Sequence, residues 1–139
     1  MRRALAPIFL LTLALGACGG DDASNEEAAV RDTAKRLYSG FADKDAGKIC
    51  DLLTSKQRAA VAKGGGTKAG ASCEQVMGVA LTFVAGKGLE DADQAKVTKV
   101  TVDGERATAT VDFKGRPGVL GLAKEDGDWK ISNFNLKKL

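Results

Sequence analysis

The most reactive side chains of this chain are its three cysteines, Cys18, Cys50 and Cys73. The 139 residues include no histidine, which excludes Ser–His–Asp triads, Cys–His pairs and most zinc sites. No group of acidic residues has the spacing of a metal site. We therefore predict no catalytic residue, no metal site and no cofactor.

The first residues have the pattern of a secretion signal. Arg2 and Arg3 form a short positive start, and residues 4–17 are almost free of polar side chains. This apolar run is shorter than the roughly 20 residues that span a bilayer as a helix. It fits the apolar region of a signal peptide, so we predict that residues 1–17 are removed.

The apolar run ends in Leu15-Gly16-Ala17-Cys18. This segment resembles the lipobox of bacterial lipoproteins, in which a branched apolar residue and two small residues precede a cysteine. The resemblance implies a lipid on Cys18 and a protein anchored on the extracytoplasmic side of the cell membrane. Residues 18–25 are then the lipidated cysteine and a flexible polar tether. The alternative is a plain secretion signal that ends in a chance cysteine.

Cys50 and Cys73 remain once Cys18 carries a lipid. Two cysteines in an exported domain most often form a disulfide, and this one would cross the glycine-rich residues 63–71. The alternatives are two buried free thiols or a reactive thiol. A reactive thiol has the least support, because the chain has no Cys-x-x-Cys motif and no histidine.

Charge and loop patterns exclude two classes of ligand. The net charge is +3, and Arg2 and Arg3 supply two of these charges, so the rest of the chain has no basic stripe for nucleic acid. Residues 63–71 lack the Gly-Lys-Ser/Thr ending of a phosphate-binding loop and follow no strand. We predict an ordinary loop there.

Apolar residues at helical spacing predict helices in the first part of the domain. Val30, Ala34, Leu37 and Phe41 share one face of a helix over about residues 25–42, with Ser24 and Glu27 as its capping box. Three further predictions follow: a short helix capped by Asp45, a short helix from Ser55 to Val61, and an amphipathic helix opened by Ser72 and Gln75 that carries Val76, Ala80, Phe83 and Val84.

The period changes to two from Ala95 onward. Ala107, Ala109, Val111 and Phe113 alternate with polar residues, which predicts a half-buried strand. Turns are predicted at Asp103-Gly104, at residues 115–118 and at Asp126-Gly127, and they separate four strands. Helices followed by an antiparallel meander predict an α+β fold in one domain over residues 26–139.

This layout resembles the nuclear-transport-factor-two-like superfamily, which includes ketosteroid isomerase and polyketide cyclases. The resemblance lies in residues 37–53, in the strand 107–113 after an Asp-Gly turn, and in the closing strand 125–131. It implies N-terminal helices packed on a curved antiparallel sheet, a cone-shaped, cystatin-like roll with an apolar pocket. Motifs of this kind are shared across many functions, so they bear on the fold more than on an activity.

The resemblance also suggests pocket-lining residues. Enzymes of this superfamily commonly carry a tyrosine on the first helix and acidic residues on the sheet or second helix. Tyr38 lies on the corresponding helix, but Leu37 falls at the tyrosine position, and Asp51 and Asp112 are expected to face solvent. The candidates for pocket lining are Tyr38, Phe41, Phe83 and Trp129.

Two functions from different classes follow. The favoured one is a non-catalytic binding module for a small apolar ligand or another envelope protein. The alternative is an isomerase- or dehydratase-like enzyme with a carboxyl base in the pocket. A homodimer through the open sheet face is a further candidate assembly, with Thr98, Thr108, Thr110 and Ser132 on that face.

Overall fold

The helices precede the sheet along the chain, as the sequence predicts. The computed structural model describes residues 20–64 and 70–134. Within them, the elements in chain order are α1 (Gly20–Asp43), α2 (Ala46–Asp51), α3 (Ser55–Gly64), α4 (Cys73–Val84), a 3₁₀ segment (Leu89–Gln94), β1 (Lys96–Asp103), β2 (Arg106–Phe113), β3 (Arg116–Glu125) and β4 (Asp128–Asn133). The fold is therefore α+β.

Helix α1 presents the predicted apolar face to the core. Val30, Ala34, Leu37 and Phe41 are all buried. The helix begins earlier than predicted, at Gly20, and includes Ser24, so the Ser24–Glu27 capping box is wrong and residues 20–25 of the predicted tether are helical. Within the helix, Glu26 hydrogen-bonds with Lys124 and Trp129 of the sheet, which are long-range partners that helical spacing cannot reveal.

The shorter helices are held by the predicted caps and by the disulfide. Asp45 accepts a hydrogen bond from the backbone N–H of Lys48 at 2.9 Å and opens α2. The Ser72–Gln75 capping box opens α4. Cys50 of α2 and Cys73 of α4 form a disulfide with their Cα atoms 6.1 Å apart, which confirms the predicted pair.

The four strands form one antiparallel sheet in the order β1-β2-β3-β4, and the sheet is not closed. The turn at Asp126-Gly127 is as predicted. The middle turn is Lys114-Gly115 rather than residues 115–118, because both residues have positive φ (53° and 76°), as a two-residue type I′ hairpin requires. The first turn likewise shifts by one position, to residues 104–105.

The helices cover only one face of the sheet. Ala107, Ala109 and Val111 point into the core with Leu120 and Leu122, while Thr108 and Val119 on the other face are exposed. The sequence pattern did not predict the 3₁₀ segment. This segment buries Leu89 and Ala92, and it packs against α1.

None of the helices in the described ranges combines the length and hydropathy that a membrane crossing requires.

Candidate functional site

The predicted pocket-lining residues do not meet in a single pocket. Tyr38, Phe41 and Trp129 each line a different cleft. Phe83 is 75% exposed on the outer side of α4 and lines none of these three clefts. It points outward because Cys73, Met77 and Leu81 occupy the buried side of the same helix. Cys18 lies outside the described residues.

The cleft at Trp129 is the largest of the three, with a volume of about 480 Å³. Three of its side chains, Glu26, Lys124 and Trp129, bind one another. The Glu26 carboxylate accepts hydrogen bonds from Lys124 Nζ and Trp129 Nε1. Lys124, and after it Trp129, thereby hold the pKa of Glu26 below its ordinary value. Thr33 Oγ1 donates to the Ala29 carbonyl at 3.0 Å and approaches the Trp129 carbonyl at 3.4 Å.

The cleft at Phe41 is a small apolar pocket of about 110 Å³. Its lining residues are Phe41, Met77, Ala80, Leu81, Val84, Lys87 and Leu89. Lys87 is the only charged residue among them. This volume, like the volume of about 200 Å³ of the third cleft, is below the roughly 300–1,000 Å³ of sites for drug-sized ligands, so either space would hold only a small ligand.

The Tyr38 cleft, as we call the third, has a volume of about 200 Å³. It is lined by Tyr38, Lys87, Gly88, Phe113, Lys114, Arg116, Pro117 and Gly118. The Tyr38 side chain is only 5% exposed. No other described residue hydrogen-bonds with its hydroxyl, and no fully buried side-chain oxygen or nitrogen in the described ranges lacks a partner. The hydroxyl oxygen lies beside Gly118, another lining residue of the cleft.

Three segments of the chain build the walls of the Tyr38 cleft. Tyr38 comes from α1, Lys87 and Gly88 come from the connection after α4, and the hairpin between β2 and β3 supplies the rest. Lys114 ties two walls together, because its Nζ atom lies 3.0 Å from Asp91 Oδ2 and 3.3 Å from the Gly88 carbonyl. The same Nζ atom lies 5.4 Å from the centre of the Phe113 ring.

Gly118 leaves the space in front of the Tyr38 hydroxyl open. A Cβ atom at position 118 would lie 3.9 Å from the hydroxyl oxygen. That distance is an ordinary van der Waals contact, so a side chain there would fill the cleft without a collision at its first atom. Burial also raises the pKa of the Tyr38 hydroxyl, which keeps it protonated as a hydrogen-bond donor.

The charges that line the Tyr38 cleft are all positive. Lys87, Lys114 and Arg116 line it, and no carboxylate does. Of the three, only Lys114 forms an ion pair within the described ranges. The family resemblance indicates Tyr38, but no pattern in the sequence indicates these cations or Gly118. Lys114 and Arg116 flank Gly115 in the sequence, but the contribution of Lys87 depends on how the chain folds.

The carboxyl groups lie elsewhere, and every one whose burial is described is at least partly exposed. Asp112 accepts a hydrogen bond from the backbone N–H of Gly115 at 3.0 Å and so supports the hairpin turn. Asp51 is exposed, as predicted, and pairs with Arg58 at 3.4 Å. In the described ranges, His, Cys, Asp and Glu side chains form no group of three or more suited to a metal ion.

Comparison with known proteins gives this chain no family: no family model matches it, and no curated protein is significantly similar to it.

Proposed function

We propose that this chain is an exported bacterial lipoprotein, anchored by a lipid on Cys18, whose domain binds a small ligand in the Tyr38 cleft. The sequence Leu15-Gly16-Ala17-Cys18 after a basic start and an apolar run supports the anchor. The open hydroxyl of Tyr38 at a partly apolar cleft carries the binding function.

The domain is proposed to be a cone-shaped, cystatin-like roll of the nuclear-transport-factor-two-like type. Two features support this finer description. The helices cover one face of the antiparallel sheet only, and α1 runs along that face from Glu26 near β4 to Tyr38 near the hairpin between β2 and β3. The Tyr38 ring is tilted against that of Phe113 in the sheet, with the two ring centres 6.4 Å apart.

A binding function fits the Tyr38 cleft better than catalysis does. A carboxyl base in an apolar pocket would have a raised pKa. Every described carboxyl with a displaced pKa has it lowered instead, through hydrogen bonds to Lys124, Lys48, Arg58, Ser55 or backbone N–H groups. An envelope protein seated on the open sheet face is the other occupant that a binding module of this kind could have.

The anchor is tested by replacing the proposed lipid-bearing cysteine. Cells that produce the full chain or its Cys18→Ala variant are labelled with an alkyne analogue of palmitate and then fractionated. We expect label and membrane association for the unaltered chain and for the control Ser24→Ala, and neither for Cys18→Ala. Label that persists in Cys18→Ala would refute the anchor.

The binding function is tested by native mass spectrometry on the full chain, released in detergent from its host membranes. We expect a retained small molecule in the unaltered protein and none in Gly118→Val, whose side chain fills the cleft. Val119→Thr is the matched control, because the neighbouring side chain is 66% exposed on the opposite face of β3. A ligand that Gly118→Val retains equally, or an unaltered protein that holds none, would refute binding at this cleft.

A further inference from the structure

We infer that the Tyr38 cleft selects a small organic anion with a flat apolar body, such as an aromatic carboxylate or phosphate. This inference rests on the proposed binding function and narrows its ligand, which the sequence predicted only as small and apolar. It depends on three properties of the cleft: its charge, its hydrogen-bond donors and its position on α1.

The charge of the lining favours an anion over a neutral or cationic ligand. Lys87, Lys114 and Arg116 line the cleft without a carboxylate among them. Asp91, which lies outside the lining, offsets Lys114, but neither Lys87 nor Arg116 forms an ion pair within residues 20–64 and 70–134. A bound anion would supply the countercharge that the protein itself does not provide there.

The polar side chains of the cleft are suited to donate hydrogen bonds. Lysine and arginine side chains only donate, and a protonated tyrosine hydroxyl donates one bond. A carboxylate or phosphate only accepts, so one ligand group could bind the Tyr38 hydroxyl and the guanidinium of Arg116. The remaining walls, Phe113 and Pro117, are apolar and suit a flat hydrocarbon body.

The cleft lies well away from the anchor end of α1. Tyr38 lies far along the continuous helix that starts at Gly20, two positions after the proposed anchor. At the helical rise per residue, these two residues are about 27 Å apart. A water-soluble anion can reach a cleft at that distance from the anchor without passing through the membrane.

The test is a titration of the full chain in neutral detergent with matched probes. Benzoate and phenyl phosphate carry a ring and an anion, benzamide is the neutral counterpart, and inorganic phosphate lacks the ring. The chain has one tyrosine, so the pH titration of tyrosinate absorbance reports Tyr38 alone. A bound anion should raise the pKa of Tyr38 further, whereas benzamide should leave it unchanged.

Variants then assign the effect to the lining cations. We expect Arg116→Gln and Lys87→Gln each to weaken benzoate binding about tenfold, the loss of one charge-assisted hydrogen bond. Lys96→Gln, which changes an exposed cation on β1, should leave benzoate binding unchanged.

Equal affinities for benzoate and benzamide would overturn the selection of anions but would not contradict the proposed binding function. Equal affinities for inorganic phosphate and phenyl phosphate would overturn the apolar half of the inference. Binding of none of the probes, to a chain that retains a host molecule, would overturn the ligand class alone.

Discussion

The two ends of α1 form two clefts that differ in how their polar groups are satisfied. At the first end, Glu26 binds Lys124 and Trp129, and these groups occupy one another across a cleft of about 480 Å³. At the other end, the Tyr38 hydroxyl has no partner among the described residues in a cleft of about 200 Å³. The buried Tyr38 hydroxyl without a described partner, and not cleft volume, therefore distinguishes the candidate ligand site.

Each of the two clefts contains its own spectroscopic probe. The chain has one tryptophan and one tyrosine, and each belongs to a different cleft. Trp129 fluorescence reports the structural end of α1, and tyrosinate absorbance reports the proposed ligand end. Each variant below can therefore be followed separately at both ends.

Removal of the disulfide should have the largest effect on stability. The double variant Cys50→Ala, Cys73→Ala removes the crosslink that restricts the conformations of the unfolded chain. We therefore expect the free energy of unfolding to fall by about 3 kcal/mol. Urea unfolding followed by Trp129 fluorescence measures the loss. Since α4 leads directly into Lys87 and Gly88, hydrogen exchange should accelerate more there than near Thr33. Equal acceleration at both places would contradict a particular link between the disulfide and the Tyr38 end.

A pair of glycine substitutions should separate a filled interior from an open cleft. A Cβ atom at Gly40 of α1 would lie 2.8 Å from Cγ1 of Ile49, which is fully buried. We expect Gly40→Val to lower the free energy of unfolding by roughly 2–3 kcal/mol through overpacking. Gly118→Val should cost less than about 0.5 kcal/mol, because its neighbours are at contact distance and valine suits a strand. Similar losses in urea unfolding would show that the Tyr38 cleft is packed interior.

Loss of one polar group at each end of α1 should have different consequences. Loss of the Trp129 N–H should lower stability, whereas loss of the Tyr38 hydroxyl should lower ligand affinity. Trp129→Phe removes the N–H that donates to Glu26 and part of a buried ring, so we expect a loss of roughly 2–3 kcal/mol with unchanged benzoate affinity. Tyr38→Phe removes a hydroxyl that bonds to no other described residue, so stability should change by less than about 0.5 kcal/mol while benzoate affinity falls. Thermal unfolding and titration of both variants check this. A large stability loss in Tyr38→Phe would mean that the hydroxyl has a structural partner.

Local rules predicted much of the fold. The caps at Asp45 and Ser72 and the buried face of Val30 and Phe41 depend on neighbours within one or two helical turns. The contacts of α1 with the sheet could not be predicted in this way, because Glu26 finds its partners about a hundred positions away in the sequence. Helix α4 carries apolar residues on two sides, and the disulfide at Cys73 holds one side inward and leaves Phe83 outside.

The candidate site was less predictable than the fold. Tyr38 was identified through a family resemblance, although its side chain lines a cleft other than those of Phe41 and Trp129. Lys87 and Arg116 meet only because the connection after α4 returns to the hairpin between β2 and β3. A ligand site assembled from three distant segments leaves no spacing pattern in the sequence.

Low pH and high pH should each lower the stability of the protein through a different end of α1. These effects on stability should be the smallest of those we expect. The pKa of Glu26 is lowered in the folded protein, so its contribution to stability is present above the ordinary value of 4.5 and is lost as the pH falls through the folded value. Burial raises the pKa of Tyr38 above 10.0, so folding is progressively disfavoured as the pH rises beyond that value and only the unfolded tyrosine ionises.

Urea unfolding at a series of pH values measures how the free energy of unfolding depends on pH. The fall in stability at low pH is the acid limb, and the fall at high pH is the alkaline limb. We expect Glu26→Gln to make the acid limb less steep, although other carboxyls with a lowered pKa also contribute to it, and to leave the alkaline limb unchanged. We expect Tyr38→Phe to flatten the alkaline limb and leave the acid limb unchanged. Glu27→Gln, an exposed neighbour on α1, is the control for a general loss of one negative charge. The difference between the two ends would be lost if either variant altered both limbs, because a single network would then connect the Trp129 cleft to the Tyr38 cleft. Independent limbs would mean that α1 has one end specialised for stability and another left open for a ligand.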